Sequence, residues 1–157
     1  MIAISAIGQD SHRFTGGRPL ILGGVRIPDV PGLEGNSDAD VVLHALTNAL
    51  SGLSGVRILG EEADRMCRAG ITDSRAYVRA ALDTLGDIRL VHLSFTIEAA
   101  KPRLSDHIER MRESIASLTG LPVGRVAMTA TSGEGLTAFG RGEGMSCFCL
   151  ASALIPD

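Results

Sequence analysis

Apolar positions recur at helical spacing through residues 42–53. Val42, Leu46, Ala49, Leu50 and Leu53 fall on one stripe, the pattern of an amphipathic helix with one face on a core. Ser37 followed three residues later by Asp40 reads as a capping box opening this helix, with Asp38 and Asp40 in its first turn, where the macrodipole favours carboxylates. Asp40 and His44 are four apart and so neighbours on the helix surface. A carboxylate there can fix the tautomer of a metal-binding imidazole. A half-exposed histidine in an ordinary ion pair satisfies the same spacing.

Around this helix the pattern predicts alternating strands and helices. Residues 2–8 read as a strand that delivers Asp10 and His12 at its end, and in extended chain these two point the same way. Oxygen and imidazole nitrogen together make a partial metal set, still short of ligands; an isolated pair of this kind is more commonly a surface turn. Leu20–Leu22 and Val25–Ile27, separated by Gly23-Gly24, predict a hairpin. Pro28, Pro31, Gly32 and Gly35 make a loop into the capped helix. Residues 54–72 lose the apolar periodicity and read as a long mobile loop with one helical turn, of the kind that serves as a lid. Asp73-Ser74 opens a second helix to about Leu85, closed by Gly86. Val91, Leu93, Phe95 and Ile97 alternate as a strand, with His92 on its other face. A basic turn at Lys101–Leu104 precedes a third helix, capped by Ser105, striped by Ile108, Met111, Ile115 and Leu118, and ended by Gly120. Arg125–Thr131 and Met145–Leu154 are further strands, the latter with Cys147 and Cys149 on one face. The sum is one α+β domain over 1–157.

Composition narrows the function classes. The 157 residues are 45% hydrophobic and 21% charged, ordinary for a globular protein. A net charge of −3 gives no electrostatic footprint for nucleic acid or an anionic membrane. One Tyr, four Phe and no Trp leave little for base stacking. Cys67, Cys147 and Cys149 lack Cys-x-x-Cys spacing and suit free thiols in a reducing cytoplasm. The short apolar start lacks a basic region and runs straight into Asp10, unlike a signal peptide, and no apolar run approaches membrane-spanning length.

The stretch from Thr131 to Gly144 concentrates hydroxyls, glycines, Arg141 and acids. Backbone N–H groups and a guanidinium in such a loop suit phosphate; a plain glycine-rich turn between strands is the alternative.

Taken together, Asp10-x-His12, the Gly-Gly hairpin, Ser37-Asp38-x-Asp40 with His44, and Phe139-Gly-Arg-Gly-Glu-Gly make the chain resemble 2-C-methyl-D-erythritol 2,4-cyclodiphosphate synthases nearly end to end. The resemblance implies a mixed four-stranded sheet with helices on one face plus the hairpin, assembled as a homotrimer with active sites between subunits. It makes Asp10, His12 and His44 the ligands of a Zn²⁺ whose fourth position is open. Glu134 is then the ligand of a second divalent ion, Mg²⁺ or Mn²⁺. Thr131, Ser132 and Gly133 meet the phosphates, Ser132 standing where the family has a threonine that stabilises the transition state. Ala100, Lys101, Pro102, Arg103 and Leu104 take cytosine, and Arg141 binds diphosphate or faces the trimer's central channel. Asn36 and Ser37 fall at substrate-binding positions, and the family has a catalytic histidine where this chain has Asn36.

Other departures accompany that one. The Asp-Ile-Gly and Phe-Pro-Asp-Thr-Asp-Pro segments that hold the sugar are replaced by Gly55–Asp64, and Gly135 replaces the lysine that follows the metal-binding glutamate. Three functions are therefore implied: conversion of 4-CDP-2-C-methyl-D-erythritol 2-phosphate to the cyclic diphosphate and CMP, a related displacement on another cytidylylated substrate, or nucleotide binding by a non-catalytic trimer.

Overall fold

A computed structural model describes residues Met1–Asp157. Its frame is a mixed five-stranded sheet. The long antiparallel pair β1 (Ile2–Thr15) and β7 (Gly144–Ile155) runs in register from Ile2 opposite Ile155 to Arg13 opposite Gly144. On the far side of β7 lies β5 (Arg89–Glu98), antiparallel to it and parallel to β6 (Val126–Thr131). The two-residue β4 (Gly32–Leu33) extends the other edge, and β2 (Leu20–Leu22) pairs with β3 (Val25–Ile27) in a separate hairpin. The four long strands and the hairpin are those expected. β1, however, continues past its expected end at residue 8 because β7 pairs with it as far as Arg13, so Asp10 and His12 sit inside a strand.

Alternation along β7 assigns the two faces of the sheet. Met145, Cys147, Cys149, Ala151 and Ala153 are buried under the helices, whereas Phe148 and Leu150 are exposed on the other side. α1 (Val41–Ser54) packs across β1 and β7. Its striped residues are buried as predicted, and Val41, Leu43, Ala45 and Thr47 are buried as well, the signature of a central helix rather than a surface one. Truncating a residue such as Leu46 to Ala costs about 2–5 kcal/mol. Gly8 sets the approach: a Cβ there would lie 2.1 Å from the Ala45 carbonyl oxygen and 2.3 Å from the Ala49 nitrogen. Only glycine lets α1 come this close to β1, and that closeness brings His44 beside Asp10.

Three local expectations are corrected. The cap of α1 is Asp40 itself, whose carboxylate accepts from Leu43 N–H, and the helix has no acidic residue in its first turn. Ala39 adopts φ 55° and turns the chain just before the helix, so Ser37 caps nothing; its Oγ accepts the Ala39 N–H at 3.1 Å. Residues 54–72 hold a two-turn helix, α2 (Glu61–Arg68), anchored by buried Ala63 and Met66. Two buried contacts beside five charged residues leave too narrow a stripe for periodicity to show. α4 (Ile108–Thr119) begins after His107, not at Ser105, whose hydroxyl accepts from Arg103 Nε at 3.0 Å instead. α3 (Ser74–Asp83), capped by Asp73, starts where expected but closes at Thr84 rather than Gly86, and the left-handed Gly120 ends α4 as expected.

Candidate functional site

Even-numbered positions of β1 face α1, so Asp10 and His12 point at the first turn of that helix and meet His44. Asp10 Oδ2 lies 2.8 Å from His12 Nε2 and 3.0 Å from His44 Nδ1, and the two ring nitrogens are 3.3 Å apart. These three donor atoms form the one cluster of metal-ligand type in the chain. The edge of a tetrahedral shell with bonds near 2.05 Å is about 3.3 Å, so the triangle fits three corners of one ion and leaves the fourth open. Burial pushes the Asp10 carboxyl up, but the hydrogen bond it accepts from His12 and the electrostatic attraction of the two imidazoles outweigh it and bring it to about 2. The hydrogen bond that His12 donates to Asp10 raises the His12 pKa, against its partial burial.

Asp40 does not orient His44. Its carboxylate is fully buried and taken up by three backbone donors, Gly23 at 2.9 Å, Gly24 at 2.7 Å and Leu43 at 3.0 Å. Burial nonetheless lifts its carboxyl to about 6. Asp40 thus ties the hairpin to the helix. The outer nitrogen of His44 faces α3 instead: Nε2 is 2.9 Å from Ser74 Oγ and 3.3 Å from Ser37 Oγ. Asp73-Ser74 carries a helix-start signal only, so the sequence does not reveal this contact.

A cavity of about 170 Å³ opens beside the cluster. His12, Asn36, Ser37 and His44 line one side, while Leu59 and Asp64, before and within α2, line the other. Cys67 Sγ donates to the Asn36 carbonyl at 3.1 Å, and Tyr77 donates to Ile71 O at 2.7 Å, so α2 and α3 close over this space. Sequence reasoning misses the α2 residues because their segment has the pattern of a loop.

The remaining predicted residues gather elsewhere. Ala100, Lys101, Pro102, Arg103 and Leu104 line a second cavity of about 490 Å³, shared with Thr131 and Ser132. Ala99 N–H donates to Thr131 O at 3.1 Å and Ala100 N–H to Phe139 O at 3.0 Å, which joins this turn to the glycine-rich loop. Within that loop, Thr131 Oγ1 accepts Gly133 N–H at 3.2 Å and Ser132 Oγ accepts Glu134 N–H at 3.3 Å. Glu134 is exposed, at φ 51°, and outside the metal-type cluster. A Cβ on Gly133 would lie 2.8 Å from Gly140 Cα, so the loop folds tightly on itself. Arg141 pairs with Glu143 at 3.3 Å on the surface.

One register row crosses the sheet from Ser11 through Ser146 and Glu98 to Thr131. Three strand spacings separate its ends, about 14 Å. In one chain the metal-type corner and the hydroxyl-rich loop stand at opposite edges of the same end of the sheet.

A mixed α+β domain that gathers three side chains of metal-ligand type at one corner of its sheet, apart from a glycine-rich loop, defines the class. Residues 4–154 match the model of the YgbB family. The chain is 44% identical over 153 residues to the 2-C-methyl-D-erythritol 2,4-cyclodiphosphate synthase of Chlamydia abortus, covering 94% of this chain and 87% of that protein. Against the protein of the same name from Chlamydia caviae it is 46% identical over 149 residues, covering 92% and 85%. Among solved structures it resembles the bifunctional IspDF from Campylobacter jejuni, with TM-score 0.89 and 30% identity over 99% of this chain, although it spans only 43% of that longer protein. It also resembles a 2C-methyl-D-erythritol-2,4-cyclodiphosphate synthase in a CDP-bound form, with TM-score 0.80 and 28% identity over 94% of this chain and 98% of the other. The chain belongs to the YgbB family. No helix is long and apolar enough to cross a membrane.

Proposed function

We propose that this chain is a metal-dependent phosphorus–oxygen lyase, a single catalytic domain over 1–157. It converts 4-CDP-2-C-methyl-D-erythritol 2-phosphate to 2-C-methyl-D-erythritol 2,4-cyclodiphosphate and CMP, in the non-mevalonate route to isoprenoids in the cytoplasm. The observation that carries the reading is the Asp10–His12–His44 triangle, with sides of 2.8, 3.0 and 3.3 Å, in a chain 44% identical to proteins of that name. Asp10, His12 and His44 would hold Zn²⁺, and Glu134 a second divalent ion (Mg²⁺ or Mn²⁺). Bound there, the ions supply charge neutralisation on phosphate oxygens.

No protein nucleophile is needed. An oxygen of the substrate's 2-phosphate attacks the β-phosphorus, the bond to the CMP oxygen breaks, and CMP leaves with that electron pair. The chain's task is positioning. Lys101 and Arg103 flank the cytidine cavity, where backbone groups of Ala100–Leu104 read the base. Thr131, Ser132 and the Gly133 N–H bind phosphate oxygens, with Ser132 nearest the reacting phosphorus, and Arg141 balances the diphosphate charge. Asn36 and Ser37 hold the polyol beside the metal corner. Asn36 donates a hydrogen bond but cannot add the positive charge a histidine could. Asp64 of α2 offers the hydroxyls an acceptor.

The active form is a homotrimer with shared sites. Ile7 and Leu150 face each other across β1 and β7, and with Phe148 they leave the outer sheet face apolar and exposed; a sheet face of that kind is stable when another layer covers it. The separation of about 14 Å between the two corners of one chain favours a site made from the metal corner of one subunit and the loop of its neighbour.

Asn36 and α2 also support a second reading, in which the same displacement runs on a different cytidylylated substrate. Phosphorus NMR on the protein with 4-CDP-2-C-methyl-D-erythritol 2-phosphate, Zn²⁺ and Mg²⁺ separates the two. Growth of CMP and cyclic diphosphate resonances is expected; an unchanged substrate spectrum from zinc-loaded trimer transfers support to the second reading.

A further inference from the structure

We propose that Ser74 and Asp38 form a one-way hydrogen-bond relay that holds the His44 imidazole in its Nε2–H form and turns the Nδ1 lone pair toward Asp10 and His12. The direction follows from donor bookkeeping. An ionised carboxylate only accepts. Asp38 Oδ2 takes the Ser74 N–H at 3.0 Å, and Asp38 Oδ1 takes the Ser74 hydroxyl proton. A serine hydroxyl has one proton, so Ser74 Oγ has only lone pairs left for His44 Nε2, 2.9 Å away. Nε2 must therefore carry the hydrogen. In a neutral ring the lone pair is then on Nδ1, 3.0 Å from Asp10 Oδ2 and 3.3 Å from His12 Nε2. Ser37 Oγ, 3.3 Å from Nε2, is a second acceptor for the same proton.

The surroundings keep the relay in place. Ser74 is fully buried, so solvent cannot stand in for its hydroxyl. Asp38 is held from both sides: its own N–H donates to Thr72 O at 2.9 Å, and its Oδ1 accepts the Asp40 N–H at 3.1 Å. Asp40, the carboxylate that sequence spacing offers for this task, is occupied by Gly23, Gly24 and Leu43. Because Ser74 is the first residue of α3, the relay couples the start of that helix to the metal corner. Ser74 and Asp38 act through His44 and are positioning residues. The use of the lone pair rests on the zinc reading above; the tautomer does not.

The test uses the full-length protein, S74A and S74T. Zinc affinity is measured by competition with a chromophoric chelator, and the His44 tautomer by long-range proton–nitrogen NMR on zinc-free protein at mildly alkaline pH. S74A is expected to bind zinc about 10- to 100-fold more weakly and to show mixed His44 tautomers. S74T restores the hydroxyl and with it both the affinity and the Nε2–H signature. If S74A does not fold, D38A tests the same relay, since it removes the acceptor of the Ser74 hydroxyl proton, frees that proton to turn toward His44 Nε2 and weakens zinc. Unchanged zinc affinity in folded S74A, or an Nδ1–H tautomer in the unsubstituted protein, overturns the proposal. If the unsubstituted protein binds no zinc, the metal reading fails, and the tautomer alone decides the relay.

Discussion

The two polar corners of this chain are built in opposite ways. Asp10, His12 and His44 project from a long strand and a buried helix, converge within hydrogen-bond distance of one another, and have an oriented partner behind the ring. Thr131, Ser132 and Glu134 ride on a tight glycine loop, exposed, with Glu134 apart from the metal-type cluster. The first is finished by one chain, because rigid elements can fix three side chains without a ligand. The second is an exposed loop that, under the proposed function, a neighbouring copy completes.

His44→Ala breaks the contrast at its strongest point. Zinc affinity should fall by roughly 100-fold or more, by chelator competition, while the glycine loop keeps its amide spectrum. Glu134→Ala is the reciprocal change. CMP release should drop roughly 10²- to 10³-fold with zinc content unchanged by elemental analysis; loss of zinc in that variant would join the two corners and remove the contrast. A third variant, Phe148→Asp with Leu150→Asp, targets the uncovered sheet face. Sedimentation should shift from trimer to monomer, with zinc retained and CMP release lost. Smallest is Asp73→Ala, at the exposed start of α3 and in neither donor set, which should cost about 1 kcal/mol in urea as a lost helix cap. Hydrogen bonding to Arg75 holds the Asp73 carboxyl below its ordinary 3.8. Its contribution is thus present above 3.8 and disappears as pH falls through the folded-state value, so the variant and the parent protein should converge in acid.

The corner that is rigid is also the more legible one. Strand alternation alone puts Asp10 and His12 on one face, and helical spacing puts His44 near the start of α1. What spacing cannot supply is the identity of the partner. Asp40 is four residues from His44, yet Ala39 at φ 55° turns the chain so that Asp40 caps the helix and Asp38 reaches α3. A positive φ at alanine leaves no trace in a sequence, so Ser74 reads as a helix start and nothing more. The α2 segment escapes for a different reason: its burial rests on Ala63 and Met66, too little apolar surface to register as a stripe. With it go Asp64 and Cys67, which wall the cavity beside the cluster. The roles proposed for Glu134 and Arg141 come through family motifs, since a glycine loop has no periodicity to read.

Subunit complementation tests the shared site most directly. His44→Ala and Glu134→Ala are each expected to be inactive but damage different corners. In trimers assembled at random from equal amounts of the two, about a quarter of the interfaces join an intact metal corner to an intact loop. CMP release should then recover to about a quarter of the parent rate, by the same statistics. Mixed trimers as inactive as either variant alone would mean that both corners of one chain serve the same substrate, and would contradict the account.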